Sequence, residues 1–169
     1  MRSNTLFVSK TLAVALALGT AGTAFAAPGD PTTTDMNVSL TIVNECKSAV
    51  VDDLDFGEHG VLDANVDAEA TISFTCSTDL PFDVALDAGQ GAGATTSARV
   101  MTSGTDTIGY QLFRVNDHTG NWGEVVDTDT LGGTGTGSSQ DITVYGRVPV
   151  QTTPAAGDYS DIVHVTVTY

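Results

Sequence analysis

A period-two alternation of apolar and polar residues runs through almost all of this chain after its first 26 residues. Successive side chains of a β-strand point to opposite faces, so this period predicts strands with one buried face; sustained helical spacing is missing. Segments rich in chain breakers separate the strands, at residues 89–93, 116–123, 132–139 and 149–157. Several short strands joined by such turns predict an all-β chain folded as a two-sheet sandwich.

The alternation also predicts which side chains face the core. Each predicted strand collects its apolar residues on one side, and the last predicted strand covers residues 162–169. The inward sets are Ala70, Ile72, Phe74 and Cys76; Phe82, Val84 and Leu86; Ile108, Tyr110 and Leu112; Ile142, Val144 and Val148; and Val163, Val165, Val167 and Tyr169.

Residues 1–26 have the three parts of a secretory signal peptide. Arg2 and Lys10 supply positive charge, an apolar run follows, and small residues precede the expected cleavage after Ala26. The apolar run is about 12 residues, too short to span a bilayer, so we expect export without membrane insertion. Removal of 26 of the 169 residues leaves 143, enough for one domain.

The expected mature chain is strongly acidic. It keeps all 21 acidic residues but only four of the six basic ones, a net charge of −17. This charge argues against nucleic acid and anionic membranes as partners. We interpret the acidic side chains as solvated strand faces and loops; composition alone does not separate this from adaptation to a salty habitat or weak calcium binding.

The chain has two cysteines, Cys46 and Cys76. In an exported protein a pair of cysteines predicts a disulfide, here closing a loop of 30 residues. Chain entropy gives such a crosslink about 3 to 4 kcal/mol of stabilisation. Metal ligation is the competing role, but two cysteines without a nearby pair of histidines do not make a zinc site.

Residues 36–42 form a short alternating segment ahead of Cys46. Met36, Val38, Leu40 and Ile42 fall on one side, and polar residues fall on the other. The pattern alone is compatible with an ordinary first strand of a self-contained sandwich and with a strand meant for a neighbouring subunit. Residues 27–35, with two prolines and three threonines, are typical of a flexible leader.

The sequence offers no catalytic motif, and we expect no enzyme activity, no cofactor and no metal. His59, His118 and His164 lie far apart in a loop, a turn and an outward strand position, so each is predicted to face solvent. Nucleophile-elbow, zinc-helix, phosphate-loop and dinucleotide motifs are missing. The stretch 127–132 resembles a calcium loop, but it lacks the third ligand, and Ser138 stands at the closing position where glutamate is needed.

A series of short motifs resembles the spore coat U domain family, which includes the pilins of archaic chaperone-usher pili. Each motif is weak alone, but their order and spacing across most of the mature chain are specific. They are Asp55-Phe56-Gly57, Phe74-Thr75-Cys76, Pro81-Phe82, Leu86-Asp87-Ala88-Gly89, Arg99-Val100-Met101, Tyr110-Gln111-Leu112-Phe113, Trp122-Gly123, Tyr145-Gly146-Arg147 and Ala156-Gly157-Asp158-Tyr159-Ser160-Asp161.

The resemblance implies an immunoglobulin-like β-sandwich that lacks its last strand and is completed by donor-strand complementation. It implies a donor strand with Met36, Val38, Leu40 and Ile42 facing the groove of the next subunit. It also implies an acceptor groove and chaperone contact along the final strand, at Val163, Val165, Val167 and Tyr169. The expected partners are neighbouring pilin subunits, a periplasmic chaperone and an outer-membrane usher.

These implications predict residues 1–26 as signal peptide, 27–42 as an N-terminal extension with the donor strand, and 43–169 as the pilin domain. The predicted function is a structural pilin subunit, exported through the periplasm to a cell-surface pilus, serving adhesion or biofilm formation. One domain of this size suggests a shaft or adaptor subunit. The alternative is a secreted spore coat or surface matrix protein of the same fold that forms no pili.

Overall fold

A computed structural model of the chain describes residue 29 and residues 32–169. The predicted signal peptide and its cleavage site lie outside these residues. The chain divides into two units, Met1–Leu40 and Thr41–Tyr169. In the first unit, residues 32–40 have no regular secondary structure and are exposed. Among the described residues, no helix has the length and apolar character needed to cross a membrane.

The second unit contains eight described β-strands and no helix, which confirms the all-β prediction. All strand pairs are antiparallel. The strands are β1 (Cys46–Val51), β2 (Val66–Cys76), β3 (Pro81–Leu86), β4 (Arg99–Ser103), β5 (Asp106–Phe113), β6 (Leu131–Thr134), β7 (Ser139–Val148) and β8 (Val165–Thr168).

The strands form two sheets, as the sequence predicted. The larger sheet has the order β1-β2-β7-β5-β4, and the smaller has the order β6-β3-β8. The alternating apolar faces of β2 and β3 are buried and meet in one core, where the rings of Phe74 and Phe82 pack edge to face at 4.8 Å. Burial of these faces supplies the main driving force for folding.

Two boundaries differ from the prediction. Residues 132–139 were expected to be a loop, yet they include most of β6 and the first residue of β7. The glycines there serve packing: a Cβ at Gly133 would lie 2.5 Å from Cζ of Phe82, so only glycine lets this edge strand pair with β3. The last strand is also shorter than predicted, because β8 covers Val165–Thr168.

Strands β1 and β4 were not predicted, since neither shows a clean alternation. β1 carries a register shift between Lys47 and Val50, which breaks the period of two. Conversely, the segment 36–42 was predicted as a strand but has no strand assignment. An extended segment becomes a strand only through a hydrogen-bonded partner, so the alternation alone does not produce one.

Candidate functional site: the cleft beside the last strand

The last strand, β8, lies at the edge of the smaller sheet. It pairs with β3 along one side, from Asp83 opposite Thr168 to Leu86 opposite Val165. Its other side faces no strand within the part of the chain that the structure describes. An edge of this kind presents unpaired N–H and C=O groups that can pair with another strand.

One face of the last segment packs on the core. Val163, Val165 and Val167 are half-buried and contact the core cluster. The structure therefore brings together three of the four residues predicted along the acceptor groove. Tyr169, the fourth, is 59% exposed.

An apolar cleft of about 500 Å³ opens between the two sheets beside this face. Side chains of both sheets line it, among them Ile72, Leu112 and Val144 from the larger sheet and Leu86 and Val165 from the smaller. A second cavity of about 590 Å³ shares Leu54, Phe56, Met101 and Tyr159 with the first. The two cavities are therefore neighbours in the sandwich.

A polar contact joins the two walls at one end of the cleft. The hydroxyl of Tyr110, on β5, donates to Oδ2 of Asp161 at 2.6 Å. Oδ1 of Asp161 accepts from the backbone N–H groups of Gln90 and Ile162. Burial, followed by the hydrogen bond to Asp161, raises the pKa of Tyr110, so its hydroxyl stays a donor. The approach to β8 is therefore tied to the opposite sheet.

A second carboxylate fixes the start of the last strand. Oδ1 of Asp87 accepts from the backbone N–H of His164 at 2.9 Å, and Oδ2 lies 2.7 Å from the His164 ring. Burial raises the pKa of Asp87, but hydrogen bonds from His164 and Gly89 outweigh it, and the pKa is lowered overall. The ionised carboxylate replaces a strand partner at the point where regular pairing with β3 ends.

Sequence reasoning missed the structural role of Arg99, which lies beside the cleft and holds backbone segments together. Its side chain is fully buried, and burial lowers its pKa. The guanidinium donates to four backbone carbonyls at 2.6 to 2.9 Å, those of Leu86, Asp87, Thr96 and Trp122. The sequence analysis named Arg99 only as part of a family motif, and no alternation around it signalled that its side chain would be buried.

Trp122 supports the same region from a loop. It is fully buried, and its indole Nε1–H donates to the carbonyl of Val84 at 2.8 Å. The sequence placed this residue correctly outside the strands but did not predict its burial. A tryptophan buried with its N–H satisfied anchors a loop strongly.

The predicted disulfide between Cys46 and Cys76 is present. It joins the first residue of β1 to the last residue of β2, which lie opposite each other in the ladder. One rung further, Ser77 pairs with Glu45. The disulfide therefore lies next to Glu45, the residue that precedes β1.

The predicted donor residues are all exposed. The exposed fractions are 85% for Met36, 86% for Val38, 85% for Leu40 and 77% for Ile42. Isolated exposed apolar residues are ordinary, but four in strict alternation are not. They keep the pattern that insertion into an apolar cleft requires.

The histidine predictions hold for two residues and fail for one. His59 and His164 are exposed. The prediction that His118 faces solvent is wrong, because only 11% of its side chain is exposed. Its ring packs against Phe113 and Tyr145, since the turn folds back over the outer face of the larger sheet.

Comparison with known proteins identifies the domain. Residues 32–166 match the family model described as Spore Coat Protein U domain. No curated protein matches the chain. Among solved structures, a chain in the CsuC-CsuE chaperone-tip adhesion subunit pre-assembly complex of archaic chaperone-usher Csu pili of Acinetobacter baumannii is 24% identical, with a TM-score of 0.57. The match covers 76% of this chain and 40% of that one, so this chain spans less than half of that relative.

Two further structures are more distant. The Escherichia coli Hda pilus minor tip subunit HdaB is 19% identical, with a TM-score of 0.39 and coverage of 70% of this chain and 79% of that one. A chain from a chaperone-tip adhesin complex of CFA/I fimbriae is 12% identical, with a TM-score of 0.36 and coverage of 74% and 42%. The Csu match shows a shared immunoglobulin-like fold.

Proposed function

Because this chain belongs to the Spore Coat Protein U domain family, we propose that it is a structural pilin subunit of a cell-surface fibre. In this proposal the subunit is exported through the periplasm and polymerised by donor-strand exchange after chaperone-usher secretion. The fibre serves adhesion or biofilm formation. The subunit's role is structural rather than enzymatic.

The observation that carries the proposal is the open cleft beside β8. Its walls are mainly apolar side chains, although Asp52, Asp53 and Asp161 also line it. The strand beside it has an edge without a strand partner among the described residues, and the face of Val163, Val165 and Val167 is only half-buried. A strand added by another molecule would fill the cleft and pair with that edge at once. A small polar ligand would neither fill the apolar part of the cleft nor pair with the strand edge.

Residues 36–42 are the proposed donor. Insertion would bury Met36, Val38, Leu40 and Ile42, while the polar side chains between them stay outward. Burial of four such side chains contributes about 6 to 12 kcal/mol before ordering costs. That gain is comparable with the stability of a whole domain, so the joined subunits should separate very slowly.

A periplasmic chaperone and an outer-membrane usher are the proposed assembly partners. The exposed apolar cleft supports the first, because such an edge aggregates unless another chain protects it during export. The Csu structure is a chaperone-tip adhesion subunit pre-assembly complex, and the shared fold supports an equivalent chaperone contact at β8 of this chain. We expect less soluble subunit without the chaperone than with it.

A matched pair of substitutions tests the donor. Leu40→Arg places a charge on the apolar side of the segment, and Ser39→Arg places the same charge on the polar side. We expect heat-stable ladders on gels from wild type and Ser39→Arg and none from Leu40→Arg, because only the latter buries a charge in the cleft. Fibre formation in the presence of chaperone and usher is the second measurement.

Equal ladders from both variants would contradict the donor assignment. A wild-type protein that forms no ladder at all, with or without chaperone, would instead favour the coat or matrix protein of the same fold. The two results are distinguishable on one gel.

A further inference from the structure

The connection between the proposed donor and the sandwich is short. Three residues, Val43, Asn44 and Glu45, separate Ile42 from the start of β1. Antiparallel strands are commonly joined by loops of about two to five residues. Length alone would therefore permit the chain to turn back at Val43–Glu45 and insert its own donor beside β1.

The directions of the strands permit the same turn. β1 begins where β2 ends, since Cys46 lies opposite Cys76. β8 ends near the start of β3, since Thr168 lies opposite Asp83, and β3 follows β2 after a short turn. The beginning of β1 and the end of β8 are thus at one end of the sandwich. A donor folded back on its own domain would run antiparallel to β1, as in a hairpin.

Ser77 opposes this turn. Its backbone N–H donates to the carbonyl of Glu45 at 2.9 Å, and its hydroxyl accepts from the Glu45 N–H at 3.0 Å. The hydroxyl also lies 3.2 Å from the carbonyl of Glu45 and 3.3 Å from that of Val43, and it can donate its single proton to either of them. These contacts continue the β1–β2 ladder past the disulfide, so residues 43–45 leave the sandwich in line with β1. A reversal of the chain there would break them.

The sequence of the connection points the same way. Three-residue hairpin loops usually place glycine where the backbone must adopt positive φ. Val43, Asn44 and Glu45 include no glycine, and Val43 is β-branched. Asn44 tolerates positive φ, but without a glycine the connection is less suited to a tight turn than a usual hairpin loop, and it is compatible with an extended path.

We propose that Ser77 is a positioning residue that directs the N-terminal extension away from its own cleft and toward a second copy of this chain. The inference rests on the proposed donor-strand exchange. The hydrogen bonds of Ser77 would favour polymerisation over insertion of the extension into its own cleft.

The test is refolding of the mature chain, residues 27–169 with the disulfide intact, as wild type, Ser77→Ala and Ser77→Thr. Size-exclusion chromatography with light scattering gives the ratio of monomer to heat-stable polymer. Loss of the hydroxyl should raise this ratio about fivefold, the effect of one net hydrogen bond, and Ser77→Thr should behave as wild type. Ser73→Ala is the matched control, because Ser73 lies on β2, which ends one residue before Ser77, and its hydroxyl donates to Asp141 on β7.

Hydrogen exchange of the monomer fraction identifies its cause. A self-inserted monomer of Ser77→Ala would protect the amides of residues 36–42, whereas exposed amides there would show misfolding and overturn the inference. An unchanged ratio in Ser77→Ala, with wild-type ladders that Leu40→Arg abolishes, would overturn the role of Ser77 alone. A wild type that forms only monomers would overturn both this inference and the proposed function.

Discussion

At the residue scale, Arg99 shows how a charged side chain holds the two sheets together. It starts β4 in the larger sheet and donates to carbonyls at the end of β3 in the smaller one, and to Trp122 in a loop. A buried guanidinium is tolerated because backbone carbonyls take up its donors.

Arg99→Met should lower the free energy of unfolding by about 3 kcal/mol or more, because it leaves several buried carbonyls unsatisfied. Arg147→Met is the control: Arg147 makes a bidentate contact with Asp67 at the surface, and its loss should cost about 1 kcal/mol or less. Urea denaturation measures both. Similar losses for the two variants would refute the structural role of Arg99.

At the element scale, β8 is held by few interactions for a strand so close to the core. Among the residues that the structure describes, its one strand neighbour is β3, and two carboxylates, Asp87 and Asp161, fix the segment that leads into it. The edge of β8 that faces away from β3 is therefore free to pair, while β3 and the two carboxylates fix the position of the strand. A strand placed in this way can accept a partner without first being rearranged.

The anchoring of β8 by Asp87 should depend on pH. The pKa of Asp87 is lower in the folded chain than in the unfolded one, so its contribution is complete above about pH 4 and is lost as the pH falls through the folded value. We expect Asp87→Asn to lose less stability than wild type between about pH 6 and about pH 3.

The measurement is the urea midpoint across this range. Asp158→Asn, an exposed carboxylate in the loop before β8, is the control and should follow the wild-type curve. Parallel acid curves for wild type and Asp87→Asn would remove Asp87 as an acid-sensitive anchor.

At the scale of the whole molecule, the sandwich has no strand in its cleft among the described residues, and the extension has exposed apolar side chains that lack a core. The sandwich offers an apolar cleft and an open strand edge, and the extension offers four alternating apolar side chains. Head-to-tail contacts between different surfaces build filaments when they do not close into a ring. In the proposed fibre, the cleft of one subunit and the extension of the next form such a contact.

Separation of the two parts should allow complementation in trans. A chain starting at Val43 is expected to bind the chaperone but not to polymerise. A synthetic peptide of residues 32–43 should raise its Tm by about 10 °C at about 100 times the peptide Kd, because it binds only the folded state. The same peptide with Leu40→Arg should have no effect. Thermal unfolding measures the shift, and equal shifts from both peptides would contradict insertion into the cleft.

Much of this fold could be predicted from the chain itself, because alternation is a local property. The period of two marked the inward faces of β2, β3, β5 and β7, and the cysteine pair indicated the crosslink that is present. The last strand was predicted as a packed face, and three of its four expected residues contact the core. Strands with an irregular period, β1 and β4, were missed for the same local reason.

The tertiary structure alone decided which distant groups meet. The carbonyls around Arg99, the pairing of Asp87 with His164, the burial of His118 and the contact of Ser77 with Glu45 join residues brought together by strand order. Gly132 and Gly133, which were expected to lie in a loop, belong to the edge strand β6, and the ring of Phe82 packs against Gly133. The alternation of apolar residues specifies which side of a strand faces the core. The residues that a side chain contacts there depend on the strand order, which is set only when all the apolar faces are buried together.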